Sequence, residues 1–337
     1  MDNIFYYYYN TLNIQQRKCY QDIIEGYNWL STDIKLQIDE SQLKKIILLV
    51  RADHPELFWV ELQYRYIIYE TYLVLKPQYN CDLKEKIRRE KQIENSVRKL
   101  LFELSHENYE YNRIKKIFEY LVDTVDYQAN APENQNIYSA LINKRSVCAG
   151  YSRAMQYLLQ KSGLTALYVP GKVKGRGYHA WNIVRCNGDF CHVDVTFGDP
   201  NFTNYSAIDQ KTCIPHELKY NYAYLCCNDE TIYRDRIADP DLYLPACPKD
   251  NFNYFRMLGN YFTQYSAAVT RQMEKSLFNG ERYWQCQFSD KMSYEQMKHN
   301  LQNGLYANMI LNRTHCSGRI QTHYLYQPEV YVVKMWY

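Results

Sequence analysis

An α+β fold is what this sequence predicts: a helix bearing a cysteine at its start, packed on an antiparallel sheet, with a helical N-terminal region before it and a small α+β region after it. Three observations predict it. Apolar residues recur at three- and four-residue spacing in several segments of the N-terminal third. Asn187-Gly188 stands between two β-rich runs, a hairpin signal because a type I′ turn needs positive φ at both central positions. Between these lies a segment that enters a helix near Cys148, carries Ala154, Leu158 and Leu159 as apolar positions, and stops at Gly163.

In order along the chain, residues 12–30 and 41–51 read as helices. Leu57 to Leu75 is aromatic and β-branched and ends at Lys76-Pro77, so one or two strands are expected there. Helices follow at about 82–105 and 109–124. The polar, proline-containing stretch Asn130 to Asn136 is a loop. Tyr138 to Asn201 then reads as helix, strand and hairpin. Pro240, Pro245 and Pro248 mark a boundary. Beyond it helices are expected near 253–276 and 292–303, with strands near 282–288 and 320–336. The division is a flanking region over 1–108, a core over 109–245 and an accessory region over 246–337. The accessory aromatics Tyr254, Phe255, Tyr261, Phe262, Tyr265, Tyr283 and Trp284 are expected to pack in a core.

The chain has 337 residues, enough for a core without staples, and its 46% hydrophobic and 23% charged content excludes disorder and a single coiled coil. Its 36 tyrosines stand beside 12 glycines and 10 prolines, a bias that AT-rich codons explain without a stacking surface. The net charge of +3 lacks the footprint of a nucleic-acid binder. The densest basic stretch, Lys84 to Lys99, is interleaved with Glu85, Glu90 and Glu94 and carries Leu83, Ile87, Val97, Leu101 and Leu104 at helical spacing, so it reads as a solvated helix face. No apolar run is long enough to span a bilayer, and the N-terminus lacks the pattern of a signal peptide, so a cytoplasmic protein with no membrane partner is expected. The 11 cysteines contain no C-x-x-C. Cys186, Cys191 and His192 are the nearest thing to a ligand cluster, but they lack a second pair, and neither a metal nor another cofactor is expected.

The chemistry-bearing residues lie between 148 and 194. A cysteine at a helix start faces unpaired N–H groups and the positive end of the helix dipole, which favours a nucleophilic sulfur. If Cys186 opposes Asp189 in the hairpin, Trp181 opposes Asp194 and His179 opposes Thr196. His179 and Asp194 are then diagonal neighbours on one face. A Cys, a His and an Asp so arranged have the logic of a nucleophilic triad. His192 is a rival base, because the same register sets it beside Asp194.

The blocks Tyr138-Ser139-Ala140-Leu141, Ser146-Val147-Cys148-Ala149-Gly150-Tyr151, His179-Ala180-Trp181-Asn182 and Val193-Asp194-Val195-Thr196 resemble, in order, those of the bacterial transglutaminase-like superfamily, whose core is papain-like. The resemblance covers about 109–235, with a weaker similarity at Asp53-His54-Pro55-Glu56-Leu57-Phe58-Trp59. It implies that Cys148, His179 and Asp194 are the catalytic triad and that the substrate is a protein or peptide amide. The expected reaction is acyl transfer or hydrolysis through a thioester, with a slight lean toward hydrolysis. It also points to Tyr138, Tyr151, Trp181 and Asn182 as supporting or substrate-binding residues, with Tyr138 as a guess for a second oxyanion donor beside the Cys148 N–H. Phe197-Gly198-Asp199 departs from the family pattern, and no calcium-loop pattern is present. The competing expectation is a binding or scaffold module that keeps the fold without the chemistry.

Overall fold

A computed structural model describes residues 5–199, 214–314 and 320–337. The chain forms two compact units: Met1–Thr196 with Arg236–Cys247, and Phe197–Asp235 with Pro248–Tyr337. The first unit is thus left at Thr196 and re-entered at Arg236.

The first unit opens with helices Ile14–Asn28 and Glu40–Asp53, each N-capped by a side chain, Asn13 in a reciprocal box with Gln16 and Asp39 on the N–H of Ser41. A three-stranded sheet of Ile34–Leu36, Leu73–Tyr79 and Val60–Ile68 follows. The expected strand over Leu57 to Leu75 is therefore a hairpin that runs past Pro77. Pro77 is tolerated because Ile34–Leu36 pairs only with Leu73 to Leu75, so the missing N–H costs nothing on that side. The helices Leu83–Ser105 and Glu110–Thr124 lie within a residue or two of expectation. On the first of them Val97 and Leu104 are buried, while Leu83 and Ile87 are exposed.

The core of the first unit is the helix Cys148–Lys161 against a four-stranded sheet in the order Asp189–Val193, Gly177–Cys186, Ala166–Val173, Arg236–Ala238. Tyr151, Ala154, Met155, Leu158 and Leu159 of the helix are fully buried. Two polar ties fix it to the strand of His179. Ser152 Oγ donates to the Ala180 carbonyl at 2.8 Å, and the Asn182 side-chain amide donates to the Ser152 carbonyl at 3.0 Å. Asn187 and Gly188 have φ of 47° and 92°, and Cys186 faces Asp189 as expected. The ladder, however, ends at the pair Asn182–Val193, and the chain turns into the short helix Val195–Gly198. Trp181–Asp194 and His179–Thr196 are therefore not ladder pairs.

The second unit has a sheet of Tyr261–Phe262, Tyr283–Phe288, Val332–Trp336 and His323–Gln327, covered by the helices Ala267–Phe278, Lys291–Gln302 and Leu305–Thr314. The single helix expected near 253–276 is broken. Gly259, at φ 72°, ends the turn Tyr254–Met257, and the Ser266 side chain caps the next helix. Trp284, Phe288, Tyr294, Met297 and Met335 form this unit's own core, with Phe262 and Tyr265 packed on it. Among the described residues no helix is long and apolar enough to cross a membrane.

Candidate active site

The N-terminus of the Cys148 helix is set by a close approach. A side chain at Gly150 would place its Cβ 1.8 Å from Ser146 Oγ and 3.1 Å from the Asn136 carbonyl. Ser146 Oγ in turn donates to the Asn134 carbonyl at 2.7 Å. The polar loop 134–136 is thereby pinned against the start of the helix. Cys148 and His179 line one cleft of about 730 Å³, with Gln135, Tyr127, Lys172, Ile237 and Asp239 also on its walls.

His179 Nε2 and Asp194 Oδ2 are 2.7 Å apart, and both residues are buried. That contact leaves Nδ1 uncommitted to the carboxylate, and Cys148 lies close enough to act on the ring's protonation. Burial pushes the imidazole toward its neutral form. The Asp194 carboxylate, and after it Cys148, outweigh this and raise its pKa to about 9. Burial likewise works against ionisation of Asp194, but the His179 and Arg236 charges hold that carboxyl well below its ordinary range. A protonated imidazole held by an ionised carboxylate next to a sulfur is equipped to deliver a proton to a leaving amine.

Arg236 is the residue that sequence reasoning missed. Its side chain is fully buried and donates twice to Asp194 Oδ2, from Nε at 3.0 Å and Nη2 at 2.7 Å. It sits on a three-residue strand with no periodic signal, and nothing in the sequence links it to Asp194.

The other residues named from sequence are placed as follows. Trp181 is buried, stacks on His179 with ring centroids 6.2 Å apart, and donates from Nε1 to His192 Nδ1 at 3.1 Å. His192, the rival base, is therefore engaged with the indole. Asn182 and Tyr151 are structural ties. The first holds the helix to the sheet, and the Tyr151 hydroxyl donates to the Val125 carbonyl beneath the helix start. Tyr138 is not on the cleft wall. Its hydroxyl donates to Gln92 on the Leu83–Ser105 helix at 3.0 Å, and its ring lies under Arg89. Cys191 gives its thiol to the Val184 carbonyl. The nine described cysteines are free thiols, and Cys213 and Cys316 lie outside the described residues.

Residues 98–195 match the family model of the Transglutaminase-like superfamily. Over 164 residues the chain is 22% identical to Kyphoscoliosis peptidase of Mus musculus, an alignment covering 44% of this chain and 24% of that protein. Similar solved structures include a TGase, with 12% identity and a TM-score of 0.30 over 55% of this chain and 52% of that one. Another is the periplasmic domain of TgpA from Pseudomonas aeruginosa, with 17% identity and a TM-score of 0.27 over 41% of this chain and 56% of that one. The chain thus spans about a quarter of the mouse relative and about half of the TGase chain.

Proposed function

From the premise that this chain carries a domain of the transglutaminase-like superfamily, we propose that it is a cysteine-dependent enzyme acting on protein or peptide amides, with Cys148, His179 and Asp194 as its triad. The observation that carries this reading is the 2.7 Å contact of buried Asp194 with His179, which lines the same cleft as Cys148. The Cys148 sulfur attacks the amide carbonyl. His179 passes its Nδ1 proton to the departing amine, and a thioester remains. Water or a second amine then adds to the thioester, gives its proton to His179, and releases the sulfur.

The Cys148 N–H at the helix start is one donor to the tetrahedral oxyanion. Tyr138 lies off the cleft wall, and Gln135 is the side-chain amide on it that a second-donor role would fall to. The lean toward hydrolysis stands because water needs no acceptor subsite. A cytoplasmic setting fits a chain whose described cysteines are all thiols.

The test is a screen that reads amine incorporation, ammonia release and peptide-bond cleavage in parallel, on the parent and on Cys148→Ala. All turnover should vanish in the variant while its circular dichroism is unchanged. Turnover that survives Cys148→Ala would sink the proposal.

A further inference from the structure

We infer that the cavity between Arg51, on the helix Glu40–Asp53, and Arg153, on the Cys148 helix, is a binding site for a small oxyanion, a phosphate or a carboxylate. The cavity has a volume of about 150 Å³ and is lined by both arginines together with Asn80, Gln135 and Asn136. That is room for about five water molecules, or for one oxyanion and its remaining hydration.

The two guanidinium groups are neighbours, and the carboxylate whose charge acts on Arg51 is that of Glu61. Arg51 donates from Nη1 to the carbonyls of Val60 and Glu61, at 3.3 and 2.7 Å. Arg153 is buried, donates from Nη1 to the Arg51 carbonyl, and lies over the Tyr168 ring with Cζ 4.3 Å from its centroid. Among the described residues neither makes an ion pair, and the carbonyl contacts of both run from Nη1. Burial and the like charge of Arg153 hold Arg51 below the usual guanidinium range, to about 10. Two carboxylates border the cavity. Glu133 is committed to Arg89 at 2.8 Å, and Glu61 gives Arg51 its backbone carbonyl while its carboxylate charge acts on the same guanidinium without an ion pair.

Two cations brought together out of water cost free energy unless an anion joins them. Paired guanidinium forks are the side chains best shaped to hold an oxyanion through parallel N–H donors. The cavity also adjoins the active-site cleft, because Gln135 lines both and Tyr168, under Arg153, lines the cleft. An acidic group on a substrate reaching this pocket, or a free anion filling it, would bear on the loop beside Cys148. Occupancy itself does not depend on the thiol chemistry proposed above, so the two stand or fall separately.

The test is calorimetric titration of the full chain with sodium phosphate and, separately, sodium acetate, against sodium chloride at matched ionic strength. One saturable site is expected. Arg51→Gln and Arg153→Gln should each weaken it about tenfold or more, the loss of a charge-assisted contact. Glu61→Gln, which removes a competing negative charge at the rim, should tighten it. Tighter phosphate assigns the site to a phosphoryl group, and tighter acetate to a carboxylate. If Arg153→Gln does not fold, Arg51→Gln and Glu61→Gln decide. No saturable heat above the chloride control, or a site unchanged by Arg51→Gln, overturns the inference.

Discussion

Asp194 is a buried carboxylate whose one oxygen, Oδ2, is approached by His179 and twice by Arg236. Removing one partner of such a buried group leaves the other uncompensated, so Arg236→Met should cost about 3–5 kcal/mol of stability by denaturant titration. Arg236→Lys, which keeps the charge but loses the fork, should lie between. The His179 shift has a definite sign. A base whose folded pKa stands above its unfolded value of 6.5 contributes stability fully present below that value and lost as pH rises through about 9. The gap in melting midpoint between the parent and His179→Gln should therefore narrow from about pH 6 to about pH 10. A gap that stays constant would show that the imidazole is not held protonated. At the same scale, Cys148 should be the first thiol alkylated by iodoacetamide in peptide mass spectrometry, and His179→Ala should slow it. The buried thiols, Cys286 among them, should label only after unfolding.

Among the elements, the hairpin was legible because its turn chemistry is local: Asn187-Gly188 sets the register from Cys186–Asp189 to Asn182–Val193, and the His179–Asp194 contact lies just beyond the last pair. The end of the ladder was not legible, since nothing between Val193 and Thr196 announces that the strand stops and a helical turn begins. The same limit applied to Gly259, whose positive φ splits what apolar spacing alone reads as one helix. The strand Ala166–Val173 carries a steric constraint that no pattern reveals. Gly171 faces His179 across the ladder, and a Cβ there would lie 2.3 Å from the Ile237 carbonyl oxygen and 2.8 Å from the Trp181 ring. Both neighbours are rigid, one of them backbone, so Gly171→Ala should destabilise by about 1–3 kcal/mol in thermal or denaturant melts. It should also disturb the indole on which His179 stacks, which the alkylation rate of Cys148 would report.

At the scale of the molecule, the fold class was legible because helical spacing and turn signals are written locally, whereas the contacts that tie distant segments are not. Arg236 and Asp194 are 42 residues apart in sequence. Lys334 in the second unit is another case. It reads as one residue in a strand, yet it is fully buried, and its Nζ donates to the carbonyls of Leu218 and Tyr220 at 2.8 and 2.7 Å. Burial lowers its pKa to about 7, and a neutral amine has two hydrogens for those two acceptors. Here the sign is opposite to that of His179. The unfolded chain binds the proton more tightly, so the lysine's contribution to stability improves as pH rises from about 7 toward 10.5. Melting midpoints of the parent relative to Lys334→Met should rise across that range, and a flat difference would contradict the neutral assignment. The excursion of the chain out of the first unit between Thr196 and Arg236 also has a consequence for biosynthesis. A ribosome delivers Cys148, His179 and Asp194 well before the guanidinium that neutralises the carboxylate, and domains tend to condense in the order they emerge. The contact that neutralises Asp194 therefore cannot form until the chain has gone out and come back, so this unit completes its buried charge pair only after the excursion has emerged.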